Sequence, residues 1–284
     1  MERIKRHNIG STRRGFLTGG TGVLLTGAFL GASQRAEAQG GQDSARPNAS
    51  LPRDLAGLVS DLVVANRILF DQGVVDGYGH VSVRHPAQPN HFLISRWLAP
   101  DLVTESDILE LDLECHPVTG DQRKLYSERF IHSEIYRAQP EVGSIVHTHA
   151  PMVVLMGVCG EPLMPIYHMT GFLGTGVPVF DIRKAAGMTD MLISDAARGK
   201  ALAQSLGDKP AVLMRGHGGV TVGRDIPHAV GRSVYLKINA ELQLRVLGRK
   251  IEFLDPEEAR LGERSNANFP KDWDLWKRQV TDKS

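Results

Sequence analysis

A chain of 284 residues, of which 42% are hydrophobic and 23% are charged, can bury one large core or two small ones under a solvated surface. The formal net charge is only +1 and the chain has two cysteines. The charge indicates no basic patch for nucleic acid, and the cysteine count excludes a disulfide-stabilised scaffold.

Residues 1–38 have the pattern of an export signal. A basic segment contains Arg13 and Arg14, as in bacterial twin-arginine signals, and a small-residue cleavage motif ends at Ala38. The apolar run between them, 17–32, is too short and too glycine-rich for a good membrane anchor. We predict a twin-arginine signal peptide, periplasmic localisation and no stable membrane insertion after cleavage. A disordered basic tail and an uncleaved anchor are the alternatives.

Removing residues 1–38 takes away six basic and two acidic side chains, so the formal charge becomes −3. A flexible leader at 39–50, rich in Gly, Ser, Asn and Pro, follows. The main domain is predicted over 51–254, and a charged C-terminal tail over 255–284. In this tail, docking of Trp273 and Trp276 on a neighbouring subunit and packing on the chain's own core are equally compatible with the sequence.

Hydrophobic periodicity and turn residues predict mixed helices and strands. The predicted helices are 52–72, 127–138 with Ser127 as N-cap, 189–206 and 227–247. The predicted strands are 79–83, 91–95, 108–113, 144–149, 177–180, 211–214 and 220–222. The apolar stretch 152–158 has no assignment. Because strands and helices do not alternate strictly, the order favours one layered α/β domain over a doubly wound parallel sheet.

Two histidines, His147 and His149, lie at the end of an apolar strand. Successive strand side chains alternate between faces, so both imidazoles are predicted to point the same way and to form half of a metal site. Two such histidines are equally compatible with a polar pocket. His217, in a glycine-rich turn, offers a third ligand and would leave coordination positions open. Its alternative role is a turn histidine without a partner.

Glu128 and His132 are four residues apart at the start of a predicted helix. This spacing places both on one helix face, from which both could reach one pocket. A carboxylate at a helix start is also favoured by the helix dipole, which is the alternative reading of Glu128.

Four short motifs together resemble, in order and spacing, those of the class II aldolase/adducin family. They are GHVSVR at 79–84, SERF at 127–130, IVHTHAP at 145–151 and LMRGHG at 213–218. The resemblance covers about residues 51–248. It implies an α/β fold with a central, mainly antiparallel sheet flanked by helices, and a homo-oligomer with active sites near subunit interfaces.

The resemblance also implies a divalent metal ion, with zinc or manganese as the first candidates. The metal ligands that it implies are His147, His149 and His217, with Glu128 as the acid/base carboxylate and sometimes a fourth ligand.

The sequence departs from the sugar-phosphate aldolases of this family, which bind phosphate with small residues, a Gly-Asn pair and two serines before the glutamate. Here His80 follows Gly79, and Tyr126 replaces one serine. Arg96 offers a bidentate partner for a carboxylate. This pattern, together with ANRIL at 65–69, YHM at 167–169 and VFDIR at 179–183, is similar to the family's decarboxylase branch. That branch includes enzymes that act on hydroxylated aromatic dicarboxylates and on carboxylated muconic semialdehydes.

The predicted activity is therefore that of a metal-dependent lyase that decarboxylates a hydroxylated or oxo-substituted carboxylic acid through a metal-stabilised enolate. Glu128 and His132 are the candidate proton donors to the carbanion. The candidate substrate-binding residues are His80, Ser82, Ser95 and Arg96. The alternatives are an aldolase, dehydratase or epimerase acting on a sugar or sugar phosphate, and a non-catalytic adducin-like binding module.

Overall fold

A computed structural model describes residues 55–265 and 269–282 of the chain. The predicted signal peptide at 1–38 and the predicted leader at 39–50 lie outside these residues. Within the described part, every helix is too short or too polar to cross a membrane.

The described strands form one sheet in the order β3-β2-β1-β4-β7-β6-β5. All neighbours pair antiparallel except β5 and β6, which pair parallel. The strands are β1 His80–Arg84, β2 His91–Ser95, β3 Ile108–Asp112, β4 Ser144–Thr148, β5 Val179–Phe180, β6 Ala211–Met214 and β7 Gly218–Gly223. The predicted α/β class with a mainly antiparallel sheet is confirmed.

Helices cover both faces of the sheet. They are α1 Leu55–Asp71, α2 Arg129–Ala138, α3 Pro151–Met156, α4 Ile182–Ala186, α5 Ala196–Leu206, α6 Ile226–Arg245, α7 Pro256–Ser265 and α8 Pro270–Thr281. Because strand side chains alternate, Ile145 of β4 packs with α2 and α5 on one face, whereas Val146 packs with α1, α6 and α8 on the other. The two faces therefore have separate hydrophobic clusters.

Two predicted helix starts are wrong. The helix predicted from residue 127 begins at Arg129, and Glu128 rather than Ser127 is the N-cap residue. The helix predicted over 189–206 begins only at Ala196, where the Asp195 side chain caps the backbone N–H of Arg198 at 2.9 Å. Residues 189–195 form a loop instead. Two backbone groups of this loop form hydrogen bonds with the side chains of Glu128 and His217.

Smaller differences concern strand ends. The strand predicted over 144–149 ends at Thr148, and the one predicted over 177–180 keeps only Val179–Phe180. The unassigned stretch 152–158 lies largely in α3, which begins at Pro151. Proline suits a first helical position because its fixed φ is helical and its missing N–H is not needed there.

The C-terminal helix α8 packs on the chain's own core. Trp273 and Trp276 are 6% and 8% exposed and join the cluster formed by α1, α6 and the sheet. Lys277 forms an ion pair with Asp61 of α1, with Nζ and Oδ1 3.0 Å apart. Of the two arrangements left open by the sequence, these contacts show the intrachain one.

We expect Trp273→Ala to lower the free energy of unfolding by about 3–5 kcal/mol, because it removes a large buried ring and leaves a cavity. Leu275→Ala is the matched control on the same helix, since Leu275 is 44% exposed, and should change stability by about 0.5 kcal/mol or less. Urea denaturation followed by circular dichroism measures both values. Equal losses in the two variants would contradict this packing.

Candidate metal centre

The site lies where the end of β4 meets the start of β7. Thr148 of β4 pairs with Gly219 of β7, which brings His149, just after β4, close to His217, just before β7. Gly218 makes this approach feasible, because a Cβ there would lie 1.9 Å from the carbonyl oxygen of Thr148. Gly216 has φ +68°, a conformation that glycine adopts without strain.

The three histidines and Glu128 converge on one point. His149 Nε2 lies 2.8 Å from His147 Nε2 and 3.0 Å from His217 Nε2. Glu128 Oε2 lies 3.5 Å from His147 Nε2 and 3.4 Å from His217 Nε2. One atom from each residue falls within 4.8 Å of the others. The structure therefore brings together all four residues for which metal ligation is predicted.

Backbone groups hold these side chains in orientation. The Nδ1 atoms of His147 and His217 lie 3.1 Å and 3.0 Å from the carbonyl oxygens of Gly219 and Met191. A carbonyl only accepts, so each Nδ1–H donates, and this bond turns the Nε2 atom of each ring toward the cluster. Glu128 Oε1 accepts the backbone N–H of Ile193 at 3.0 Å, which turns Oε2 toward the histidines.

This arrangement fits a divalent cation. His147 Nε2, His217 Nε2 and Glu128 Oε2 are all electron-pair donors, and a proton on His149 Nε2 could bridge to only one of them. A cation at the centre of the cluster would offset the mutual repulsion of the remaining electron pairs. Three imidazole nitrogens and one carboxylate oxygen suit zinc, manganese and related ions, and open positions for substrate are typical of a catalytic site.

The protonation states of the site agree with this reading. Burial would raise the pKa of Glu128, but the adjacent His147 and His217 hold it well below its usual range, so the carboxyl is ionised. Burial and the neighbouring histidines lower the pKa of His149 to about 3, so its ring is neutral. Burial lowers the pKa of His217, but the Glu128 carboxylate, the Met191 carbonyl and Asp190 together raise it above its ordinary value. A metal ion must therefore displace a proton there at low pH.

His80, Ser82 and His132 lie beside the cluster on its β1 side. His80 pairs with His147 across β1 and β4, and their ring centroids are 5.1 Å apart. His80 Nδ1 lies 2.7 Å from His132 Nε2, and Ser82 Oγ lies 2.6 Å from His132 Nδ1. His132 thus uses both ring nitrogens in hydrogen bonds within this chain, one of them to His80.

Ser95 and Arg96 have other partners. Ser95 Oγ lies 3.2 Å from the Tyr126 hydroxyl, and Arg96 Nε donates to Asp107 Oδ1 at 2.7 Å. Extending the antiparallel pairing of Ser82 with Ile94 by two residues places Arg96 opposite His80. Arg96 therefore lies one strand further from the metal ligands than His80 does.

Several groups at the site were not predicted. The backbone groups of Met191, Ile193 and Gly219 have no sequence signal, because any residue type supplies them. Tyr136 did have a sequence signal, because it lies four residues after His132 and therefore on the same face of α2. Its hydroxyl is 2.8 Å from Ser82 Oγ. Tyr78, which is 62% exposed, places its ring centroid 6.4 Å from that of His149.

We expect Gly218→Ala to weaken zinc binding by about tenfold or more, because the new Cβ would push the start of β7, and His217 with it, away from β4. The matched control is Gly77→Ala, where a Cβ meets nothing within 4 Å. Titration of both variants with zinc against a competing chelator measures the affinities. Unchanged affinity in a folded Gly218→Ala protein would show that the close approach at Gly218 does not position His217.

Comparisons with known proteins agree with this geometry. The class II aldolase and adducin N-terminal domain matches residues 60–244. The chain is 39% identical to decarboxylase tropJ of Talaromyces stipitatus over 75% of this chain and 90% of that protein. It is 30% identical to the 3,4-dihydroxyphthalate decarboxylase of Arthrobacter keyseri, over 69% and 81%. An L-fuculose 1-phosphate aldolase of Glaciozyma antarctica shares the fold, with a TM-score of 0.66, 24% identity and coverage of 79% and 88%.

Proposed function

Because the chain belongs to the class II aldolase/adducin family and is a lyase, we propose that it is a metal-dependent decarboxylase acting on a hydroxylated or oxo-substituted, aromatic-derived carboxylic acid. The observation that carries the proposal is the convergence of three histidines and Glu128 in a chain whose similar proteins include named decarboxylases. The name of the Arthrobacter keyseri relative motivates a hydroxylated aromatic dicarboxylate as the first substrate to test.

The site residues would hold the ion through His147, His149 and His217, with Glu128 beside them. A bound divalent ion supplies a Lewis acid that stabilises the negative charge developing as carbon dioxide leaves. The polar groups around it are held in place by backbone contacts, so little reorganisation is needed during the reaction.

Glu128 is the residue that we propose moves the proton. Its carboxyl is ionised, so it first accepts the proton of a substrate hydroxyl at Oε2. The carbon–carbon bond to the carboxylate then breaks, carbon dioxide leaves, Glu128 gives its proton to the carbon that carried the carboxylate, and the product oxygen takes up a proton from water. The bond from Ile193 N–H to Oε1 keeps Oε2 toward the reacting atoms throughout.

Substrate orientation is assigned to groups beside the metal ligands. His80 lies against His147, and the exposed Tyr78 ring lies near His149, where it could pack on an aromatic substrate. The Nε atom of Arg96 is held by Asp107, so only its terminal nitrogens remain for a substrate carboxylate. Ser95 would act indirectly, through Tyr126.

The test compares two products. Metal-loaded protein is incubated with 3,4-dihydroxyphthalate and, separately, with L-fuculose 1-phosphate, and release of carbon dioxide and of aldehyde is followed. We expect carbon dioxide from the first compound and no aldehyde from the second. Aldehyde without carbon dioxide would overturn the decarboxylase proposal in favour of an aldolase.

Metal analysis separates an enzyme from a binding module. Protein purified without added ions should contain close to one divalent ion per chain, because a tight three-histidine site collects metal during expression. A site that stays empty and binds neither added zinc nor added manganese would favour a non-catalytic, adducin-like role.

We also propose that the protein is exported by the twin-arginine route to the periplasm, on the evidence of residues 1–38 alone. Arg13→Lys together with Arg14→Lys should leave the protein in the cytoplasm of a bacterial host, whereas the unchanged chain should reach the periplasm. Export of the double variant would overturn the proposal.

A homo-oligomer is part of the proposed function. Val158 and Val179 line one surface groove with Arg215 and are 48% and 43% exposed, and contiguous apolar side chains on a surface often mark an interface. Sedimentation equilibrium should give a mass that is a multiple of the chain mass. A monomer at micromolar concentration would contradict this part of the proposal.

A further inference from the structure

A continuous line of side-chain hydrogen bonds runs through the buried interior behind the site. The Tyr136 hydroxyl lies 2.8 Å from Ser82 Oγ, Ser82 Oγ lies 2.6 Å from His132 Nδ1, and His132 Nε2 lies 2.7 Å from His80 Nδ1. Ser82 and His132 are fully buried, and Tyr136 and His80 are almost fully buried. The line joins α2 to β1 and ends at the ring that packs against His147.

The direction of these hydrogen bonds follows from the Tyr136 end. Among the described residues, Ser82 Oγ is the single hydrogen-bond partner of the Tyr136 hydroxyl. If the tyrosine accepts from Ser82, its own proton is left in the interior without an acceptor. If both Tyr136 and His132 donate to Ser82, the serine proton is left in the same way. Buried donors without acceptors are unfavourable, because they lose their bonds to water without replacement.

One arrangement leaves no buried O–H group unsatisfied. Tyr136 donates to Ser82, Ser82 donates to His132 Nδ1, and His132 Nε2–H donates to His80 Nδ1. A neutral His80 ring whose Nδ1 accepts carries its proton on Nε2. No described residue forms a hydrogen bond with His80 Nε2. This atom is also not one of the fully buried polar atoms without a hydrogen-bond partner. The free donor of the line is therefore His80 Nε2–H, on the ring that packs against His147.

We infer that Ser82 and His132 fix the tautomer of His80, so that its Nε2–H is presented as a hydrogen-bond donor to an anionic oxygen of the substrate, and that the Tyr136 hydroxyl holds Ser82 in place. This inference rests on the proposed function, since it concerns the same substrate. It identifies the matching substrate group as an acceptor, such as a carboxylate or phenolate oxygen. A hydroxyl proton or an ammonium group would find no acceptor on His80.

His132 has a different role in this arrangement from the proton donor that the sequence predicts. Both of its ring nitrogens are occupied within the buried line, and burial lowers its pKa to about 3, so the ring is neutral. His132 is therefore a positioning residue that acts through His80, rather than a group that hands a proton to the substrate. Ser82 is a positioning residue in the same sense, and the Tyr136 hydroxyl supports Ser82.

The first test observes the tautomer directly. The full chain is labelled with ¹⁵N-histidine and loaded with zinc, which is diamagnetic. Nitrogen chemical shifts in the NMR spectrum then distinguish protonated from bare ring nitrogens, with His80 assigned by comparison with His80→Gln. We expect a bare Nδ1 and a protonated Nε2 on His80. A protonated Nδ1 with a bare Nε2 would overturn the inference.

The second test uses a matched pair of variants. Tyr136→Phe keeps the Ser82 hydroxyl and should keep the His80 tautomer, because Ser82 can still donate to His132. Tyr136→Phe combined with Ser82→Ala removes the last donor, so His80 should show both tautomers. Titration of the zinc-loaded proteins with oxalate should show about tenfold weaker binding for the double variant. Equal affinity and an unchanged tautomer would overturn the inference.

These readouts are independent of turnover. If the protein releases no carbon dioxide but His80 carries its proton on Nε2, the proposed reaction fails and the tautomer assignment stands. If carbon dioxide is released and the proton is on Nδ1, the decarboxylase proposal stands and the role of the buried line is wrong.

Discussion

His217→Ala is expected to remove bound metal and to reduce turnover by about a thousandfold or more, which corresponds to about 4 kcal/mol of lost stabilisation of the developing charge. His217 comes from a turn distant in sequence from the other ligands, and its Nε2 lies 3.0 Å from that of His149. Without it, two imidazoles and Glu128 remain, and Glu128 loses one of the two rings that it faces. Metal content by atomic emission and carbon dioxide release measure the two effects.

The control for this substitution is His116→Ala. The His116 side chain is 77% exposed and pairs with Asp112 at the far end of β3, so it has no contact with the cluster. This variant should keep both metal and turnover. A His217→Ala protein that binds metal as tightly as the control would show that the three-histidine site is not the metal site.

Glu128→Gln is expected to keep the metal but to reduce turnover by about 10²–10⁴-fold, the usual contribution of a positioned acid/base group. Glutamine has nearly the same shape, and its amide oxygen can still accept from Ile193 N–H. It cannot accept and return a proton. The three histidines remain to bind the ion, so metal content separates this effect from that of His217→Ala.

Glu114→Gln serves as the control for Glu128→Gln, because the Glu114 side chain is 61% exposed and pairs with Arg137 at the surface. It should leave turnover within about twofold of the unchanged protein, since surface ion pairs contribute little. If Glu128→Gln lost its metal together with its activity, the main role of Glu128 would be that of a metal ligand. The proton transfer would then have to be assigned to another group.

The positions of the strands followed closely from local pattern. The strands 91–95 and 211–214 are short apolar runs between turn residues, and both occur with the predicted bounds. Strands of this kind are largely buried on both faces, so few other conformations would bury their apolar side chains. The long helix predicted over 227–247 is likewise present as Ile226–Arg245, with Asp225 as its cap.

The loop at 189–195 shows where local pattern is insufficient. Its residues extend the periodicity of α5, yet the backbone of Met191 bonds to His217 and that of Ile193 bonds to Glu128. These partners are more than 20 residues away in the chain. A helix there would use the same backbone groups internally, so these distant contacts compete with it, and local bonds that the Thr189 and Asp190 side chains accept from backbone N–H groups compete as well.

The sequence by itself determined the chemical identity of the candidate ligands, the pairing of His147 with His149 by their spacing, and the family, because these depend on residue type and order. The tertiary structure decided that His217 meets them through the β4–β7 pairing, and that His132 contacts His80 instead of the metal ligands. It also decided which polar atom each ring nitrogen of His132 faces. Distances and hydrogen-bond direction depend on how separate strands and helices pack, and that information is not local to any one segment.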